Sequence, residues 1–310
     1  MATQSGESTD TDAVETTETT PATDTRLIDH RTVEWLLKWL LQFVAGMLLV
    51  FLWIPLAVMI FLSFAENAST LFPFEGWTLV HYQATFADGT LITSVLNSVQ
   101  IATYAATIAT VIGVLMSFAL ARYVFPLKQT FRTFGILPMV IPGVVLGIAL
   151  LIYYRTLLSE LPVIGDAFVP GFWTVVITHS VYGIPFVVLI VTARMYTFDE
   201  SLEEAARDLG ADPITTFRDV TFPIIAPAIG AGFLFAWIRS FEDFIRVWFV
   251  KGTFDVLTTK MFGMIKHGAA PKMNAISSLI VFAIAIGLAL AMNFGNVTGY
   301  VAGTVDEDEE

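Results

Sequence analysis

Residues 203–213 read EEAARDLGADP. Five of these eleven residues are charged, in a chain of 310 residues that is 14% charged and 55% hydrophobic. A plain turn between apolar segments would not need so much local order. Ser201 with Glu204 three residues later has the form of a capping box, which satisfies two orphan N–H groups. Leu202, Ala205, Ala206 and Leu209 then fall at i, i+3, i+4 and i+7, one apolar stripe on a short helix. Glu203 and Arg207 form an i, i+4 pair of the favourable order. Gly210 stands where a helix C-terminus wants a left-handed residue. Asp212 and Pro213 read as N-cap and first position of a second helix, to which Ile214 and Phe217 give an apolar edge. The stretch predicts a helix, a glycine corner and a second helix. Ala205 and Ala206 make the first helix thin enough for another surface to approach its backbone. A lid packed only on its own protein is the competing reading, and local chemistry leaves both open.

Outward from this stretch the sequence is that of a membrane protein. No Asp, Glu, Lys or Arg occurs between Lys38 and Glu66, Asp88 and Arg122, Arg132 and Arg155, Asp166 and Arg194, or Lys272 and Asp306. Each gap exceeds the roughly 20 residues a helix needs to span a bilayer. The fold class expected is an all-α polytopic membrane protein with six transmembrane helices, at about 35–63, 92–121, 134–154, 172–193, 222–250 and 275–297. Trp35 and Trp39 suit an interface. Pro55, Pro142 and Pro185 lie in or near span cores, where they mark kinks. Lys and Arg number nine in the flanks on the N-terminal side and five on the other, which puts both termini in the cytoplasm.

The net charge of −12 belongs to the ends. Residues 1–30 hold seven acids and one arginine, and 306–310 read DEDEE, so the rest of the chain is close to neutral. The domain expectation is an acidic disordered tail over 1–33, a six-helix domain over 34–298 with its core at about 92–297, and an acidic tail over 299–310. There are no cysteines, which excludes disulfides and thiolate chemistry. No GxxxxGK[ST], HExxH or GxSxG occurs, so neither a nucleotide P-loop nor a catalytic motif is present. Catalytic residues and metal ligands are expected to be none, and nothing suggests nucleic acid; membrane lipid is the surrounding partner. His179, in span four, reads as a hydrogen-bonded packing histidine.

Span five is apolar until Arg239, after which Arg239, Glu242, Asp243 and Arg246 fall at i, i+3, i+4 and i+7. On one continuous helix they share a face, with Arg239–Asp243 and Glu242–Arg246 as the pairs. Intramembrane charges tend to face a bundle interior or an aqueous cavity. The stripe is therefore either a substrate path or a self-neutralised helix end.

Glu204-Ala205-Ala206, three residues, Gly210, then Phe217, Val220, Phe222-Pro223 and Pro227, resemble the EAA motif of ABC importer permeases. WTLVHYQATFADGTLITSVLNSVQIA (Trp77–Ala102) and ARYVFPLK (Ala121–Lys128) are similar to the family's second span and the turn after it. The likeness covers about 35–295, with Phe222 where the family often has Leu. It implies a type I importer permease fold. Glu203, Glu204, Ala205, Ala206, Leu209, Gly210, Asp212 and Phe217 would form a coupling helix and corner seated on a separate dimeric ATPase, which would hold the ATP and Mg. It also implies a second permease subunit, an extracytoplasmic solute-binding protein, no cofactor in this chain, no bond chemistry here, and a multi-pass place in the cell membrane. EDFIRVWFV, with Lys260 through Asn274-Ala275, resembles the spermidine/putrescine branch, where two different permeases commonly pair. Importers for iron, thiamine or oxyanions share the layout. A stand-alone secondary transporter is the alternative from another class, and would need ion-coordinating groups in several spans.

Overall fold

The computed structural model describes residues 30–67, 74–163, 165–267 and 270–294. The tails expected over 1–33 and 299–310 lie outside these apart from the helical start at His30, and the sixth span is described only to Phe294. The chain divides into two units after Ala57. The first consists of the greater part of helix α1 (His30–Phe64), an apolar rod with Pro55 inside it. Apolar residues around the whole circumference suit a helix surrounded by hydrocarbon.

In the second unit the regular structure among the described residues is helical, apart from one isolated bridge between Ala65 and Trp77. In order come α2 (Val80–Phe86), α3 (Gly89–Arg122), α4 (Lys128–Val140), α5 (Gly143–Tyr153), α6 (Phe172–Tyr196), α7 (Ser201–Asp208), α8 (Pro213–Thr216), α9 (Phe222–Phe241), α10 (Ile245–Val250), α11 (Leu257–Lys266) and α12 (Ala270–Phe294). The core is α3, α6 and α9. Ala105, Ala109, Gly113 and Ser117 recur every fourth residue on the buried side of α3. They let the backbones close up: a Cβ on Gly113 would lie 2.7 Å from Val187, and one on Gly183 3.0 Å from the Ala109 Cβ. Lipid tails are as apolar as Leu, so close packing of small residues takes over the role that hydrophobicity plays in water. Ser117 adds a hydroxyl bond to the Gly113 carbonyl at 2.7 Å. Thr103 meets Trp237, while Val187 meets both Gly113 and Gly232. Hence α9 runs antiparallel to α3.

Four helical stretches are long and apolar enough to cross a membrane: Glu34–Phe64, Gly89–Arg122, Phe172–Tyr196 and Pro213–Phe241. The single span expected over 134–154 is instead two helices, Lys128–Val140 and Gly143–Leu158, bent by 107°; counted as one broken span they make a fifth. The cause is Pro142. It lacks an N–H and pushes its predecessor out of the helical region, and Ile141 is extended at φ −67°, ψ 129°. The described apolar part of α12, Pro271–Gly287, is shorter than a span.

The fifth span also differs from expectation. A continuous helix over 222–250 is not formed: α9 ends at Phe241 and α10 begins at Ile245. Toward its start, α9 continues backwards through a π-helical turn at Phe217–Thr221 into α8.

Candidate functional site

The EEAARDLGADP stretch folds as helix, glycine corner, helix. Gly210 takes φ +91°, and its N–H donates to the Arg207 carbonyl at 2.9 Å while the Ala211 N–H reaches that of Ala206 at 3.0 Å. Asp212 caps α8 through the N–H groups of Ile214 (2.9 Å) and Thr215 (2.8 Å). The Thr215 N–H, the first of these causes, holds the Asp212 carboxyl below its ordinary range. The capping box expected from Ser201 and Glu204 is absent. Ser201 is already helical and donates its N–H to Asp199 Oδ1 at 3.0 Å. Asp199, two residues earlier, has captured the donor that the box would have needed.

The surprise is which face of α7 is buried. Glu203 is 7% exposed. Its carboxylate accepts from Arg122 Nη2 at 3.2 Å and Thr221 Oγ1 at 2.6 Å, and pairs with Arg207 at 3.6 Å. Arg122, the last residue of α3, also pairs with Glu200 and lies 5.0 Å from the centre of the Phe198 ring. The C-terminal end of α3 and the N-terminal end of α9 are thus tied to α7 by one carboxylate. A cleft of about 250 Å³ opens beside it, lined by Phe118, Arg122, Tyr123, Glu200, Glu203, Glu204 and Arg207. The apolar stripe points away: Leu202 is 47% and Leu209 90% exposed, and Ile214 on α8 is 79% exposed. Glu204 and Ala205 are exposed and Ala206 half-buried. Phe217 meets Phe118 edge-on at 5.7 Å. The sequence marks Glu203 as an i, i+4 partner of Arg207 and, by resemblance, as part of a coupling helix, but not as a buried anchor. Arg122 was invisible as its anchor, because eighty-one residues separate them.

The span-five charges divide differently from their spacing. Because the helix breaks after Phe241, the pairs expected between Arg239 and Asp243 and between Glu242 and Arg246 do not form. Arg239 pairs with Glu242, and Arg246 with Asp243 at 3.2 Å. The first pair is partly exposed; Asp243 and Arg246 are each 8% exposed. Helix α6 supplies the rest of the cluster. Tyr182 OH accepts from Arg239 at 2.5 Å, and its ring lies 3.4 Å from the Arg246 guanidinium carbon. His179 Nδ1 bonds Ser240 Oγ at 2.6 Å, with its Nε2 3.4 Å from Asp243. His179 is therefore hydrogen-bonded in packing, as expected, and it also touches the charged group. Its spacing from Tyr182, one helical turn, is the signal that could have found both. No group of three or more His or acidic side chains among the described residues could hold a metal.

A chain whose described residues are mainly helical, with several spans long enough to cross a membrane and an anchored helical knob between two of them, has the build of a membrane-spanning subunit. The chain belongs to the family of binding-protein-dependent transport system inner membrane components, whose model matches residues 109–298. It is an ABC transporter permease of the cell membrane, a class of subunit that is not itself catalytic. It is 31% identical over 232 residues to the spermidine/putrescine transport system permease protein PotC of Haemophilus influenzae, covering 74% of this chain and 86% of that one. Its fold is similar to a chain of a bacterial ABC transporter involved in the import of the acidic polysaccharide alginate, with TM-score 0.65, 14% identity, and 84% and 97% of the two chains covered. It is also similar to one from a bacterial alginate ABC transporter in complex with an alginate pentasaccharide-bound periplasmic protein, with TM-score 0.58, 18% identity, and 84% and 96% covered.

Proposed function

We propose that this chain is one of two permease subunits of an ATP-driven importer for a small amine solute of the spermidine or putrescine class. Six spans would place both termini in the cytoplasm. An extracytoplasmic binding protein delivers the solute, and a separate ATPase dimer, holding ATP and Mg, drives the cycle through α7 and the Gly210 corner. The observation that carries this reading is the orientation of α7. A lid would turn its apolar stripe inward; here the charged residue Glu203 is buried and Leu202, Leu209 and Ile214 face out. Burying apolar area on a partner is worth about 25 cal/mol per Å², so the stripe favours a docked surface. The curated relative's polyamine transport supports the cargo, and the binding protein in the alginate complex supports that partner.

Glu242 and Asp243 offer carboxylates for ammonium groups, but each is already held by an arginine. Because its pair is partly exposed, Glu242 is the carboxylate proposed to exchange Arg239 for solute. Purification in mild detergent is expected to recover an ATPase with the wild-type chain and to lose it with Glu204→Lys or Gly210→Pro. Recovery unchanged in both variants defeats the docking reading. Uptake by the chain alone on an ion gradient would favour a secondary transporter.

A further inference from the structure

The exposed face of α3 changes character halfway along. Over its first half that face carries Thr90, Thr93, Asn97, Gln100, Thr103 and Thr107, at spacings of three and four residues; all are exposed except half-buried Asn97, and Leu96, Val99 and Tyr104 are the exposed apolar or aromatic side chains among and beside them. Over the second half the same face carries Val111 and Leu115, 56% and 67% exposed. Thr93 to Thr107 covers about 21 Å at the helical rise. A helix turned to lipid along its whole length would not keep Asn97 and Gln100 in such a face, since hydrocarbon offers their amide groups no partners.

The hydrogen-bond accounting gives the ridge a sign. Each threonine hydroxyl proton is already used: Thr90 donates to Asp88 Oδ1 (2.8 Å), Thr93 to the Gly89 carbonyl (2.8 Å), Thr103 to that of Val99 (2.8 Å) and Thr107 to that of Thr103 (2.7 Å). Asn97 Nδ2 donates to the Asp255 carbonyl at 2.8 Å. What the threonines have left is acceptor capacity, their hydroxyl lone pairs; Asn97 keeps its amide oxygen and one N–H, and Gln100 contributes an amide oxygen beside its own N–H groups. The one donor the fold itself brings to the threonines of this ridge among the described residues is the Trp237 indole N–H, accepted by Thr103 Oγ1 at 3.1 Å. At the N-terminal end of α3 the ridge opens into a cleft of about 780 Å³, lined by Gly89, Thr90, Thr93, Ser94, Asn97, Thr253, Phe254, Asp255 and Lys260. The Asp255 carboxylate there is paired with Lys251 at 2.6 Å, and Lys260 is the cation at the rim.

We infer that the first half of α3 is a water-accessible, acceptor-lined track for solutes rich in N–H donors, running from this cleft to Thr107. The inference rests on the importer reading and deepens it, because ammonium and amine groups carry donors and little else. The track is separate from the Arg239–Glu242 pair, since Trp237 turns toward α3 while Arg239 turns toward Tyr182 on α6.

The chain has no cysteine, so single cysteines report access directly. In membrane vesicles carrying the full chain, Thr93→Cys, Gln100→Cys and Thr107→Cys should label with membrane-impermeant methanethiosulfonates. The cationic reagent should react faster than the anionic one at Gln100→Cys and Thr107→Cys, because the groups that face it there are uncharged hydroxyl oxygens whose protons are already used. Val111→Cys and Leu115→Cys, on the same face, should label at least about tenfold more slowly than these three. Spermidine should slow labelling at Gln100→Cys and Thr107→Cys. No labelling at the first three positions, or faster reaction with the anion, overturns the track. Cationic preference without spermidine protection upholds the track and removes the polyamine cargo.

Discussion

The tie between α7 and the ends of α3 and α9 can be measured. Replacing Glu203 with Ala removes the acceptor of Arg122 and Thr221 and the partner of Arg207. Removing one partner of a buried ion pair costs about 3–5 kcal/mol, and the exposed Arg207 contact adds at most about 0.5 kcal/mol. Arg122 keeps Glu200, so the low end applies, about 3 kcal/mol. At about 2–4 °C per kcal/mol for a chain of this size, the melting temperature in detergent should fall by roughly 6–12 °C. Glu203→Gln keeps an acceptor for Thr221 and loses only the charge, so its loss should be nearer 1 kcal/mol. A double-mutant cycle with Arg122→Ala should give a coupling energy of about 2 kcal/mol. A Glu203→Ala melt within about 2 °C of wild type, or a coupling below about 0.5 kcal/mol, would show that the carboxylate does not hold the knob.

Other perturbations follow from the same geometry. Gly210→Ala should cost about 1–2 kcal/mol, all of it backbone strain at φ +91°, since a Cβ there meets nothing within 4 Å; a melt equal to wild type would refute the left-handed corner. Gly113→Leu should destabilise the fold by about 1–3 kcal/mol or more through overpacking against Val187, read as a lower melting point. Asp243→Ala strands Arg246 and should cost about 3–5 kcal/mol, whereas the partly exposed Glu242→Gln should leave stability unchanged and alter uptake. Asp88, at the N-cap of α3, is held at about 2, first by the Thr90 hydroxyl and then by the Leu91 N–H and Lys272. A carboxyl depressed in the folded state contributes stability above its unfolded value of 3.8, lost as pH falls toward 2. Melting points taken from pH 5 to 2 should show this loss, and Asp88→Asn should flatten it.

Local chemistry was readable wherever partners lie within a turn or two. Gly210, Asp212-Pro213 and the Glu203–Arg207 pair formed as their spacing implies. So did the helices at 35–63, 92–121 and 172–193, to within a few residues of their observed ends. What failed was what depends on breaks and on distant partners. Pro142 announced a kink, but a 107° bend requires the extended conformation that it imposes on Ile141. Nothing between Phe241 and Ile245 is a proline or glycine, so periodicity ran the span-five helix through the break and paired its charges wrongly. The capping box lost to Asp199, a competitor two residues upstream. Arg122 on Glu203, and His179 and Tyr182 beside Asp243 and Arg246, are contacts between separate spans, and no window along the chain contains them.

The most direct test of the account is proximity between α7 and an ATPase. A single cysteine at Leu209, 90% exposed at the end of the stripe, can be cross-linked in native membranes and the partner identified by mass. The account predicts one ATP-hydrolysing chain bearing a P-loop, captured by Leu209→Cys and not by a cysteine placed in α2 on the opposite side. Equal capture from both positions, or a Leu209→Cys chain that transports with ATP and cross-links to no ATPase, would contradict it.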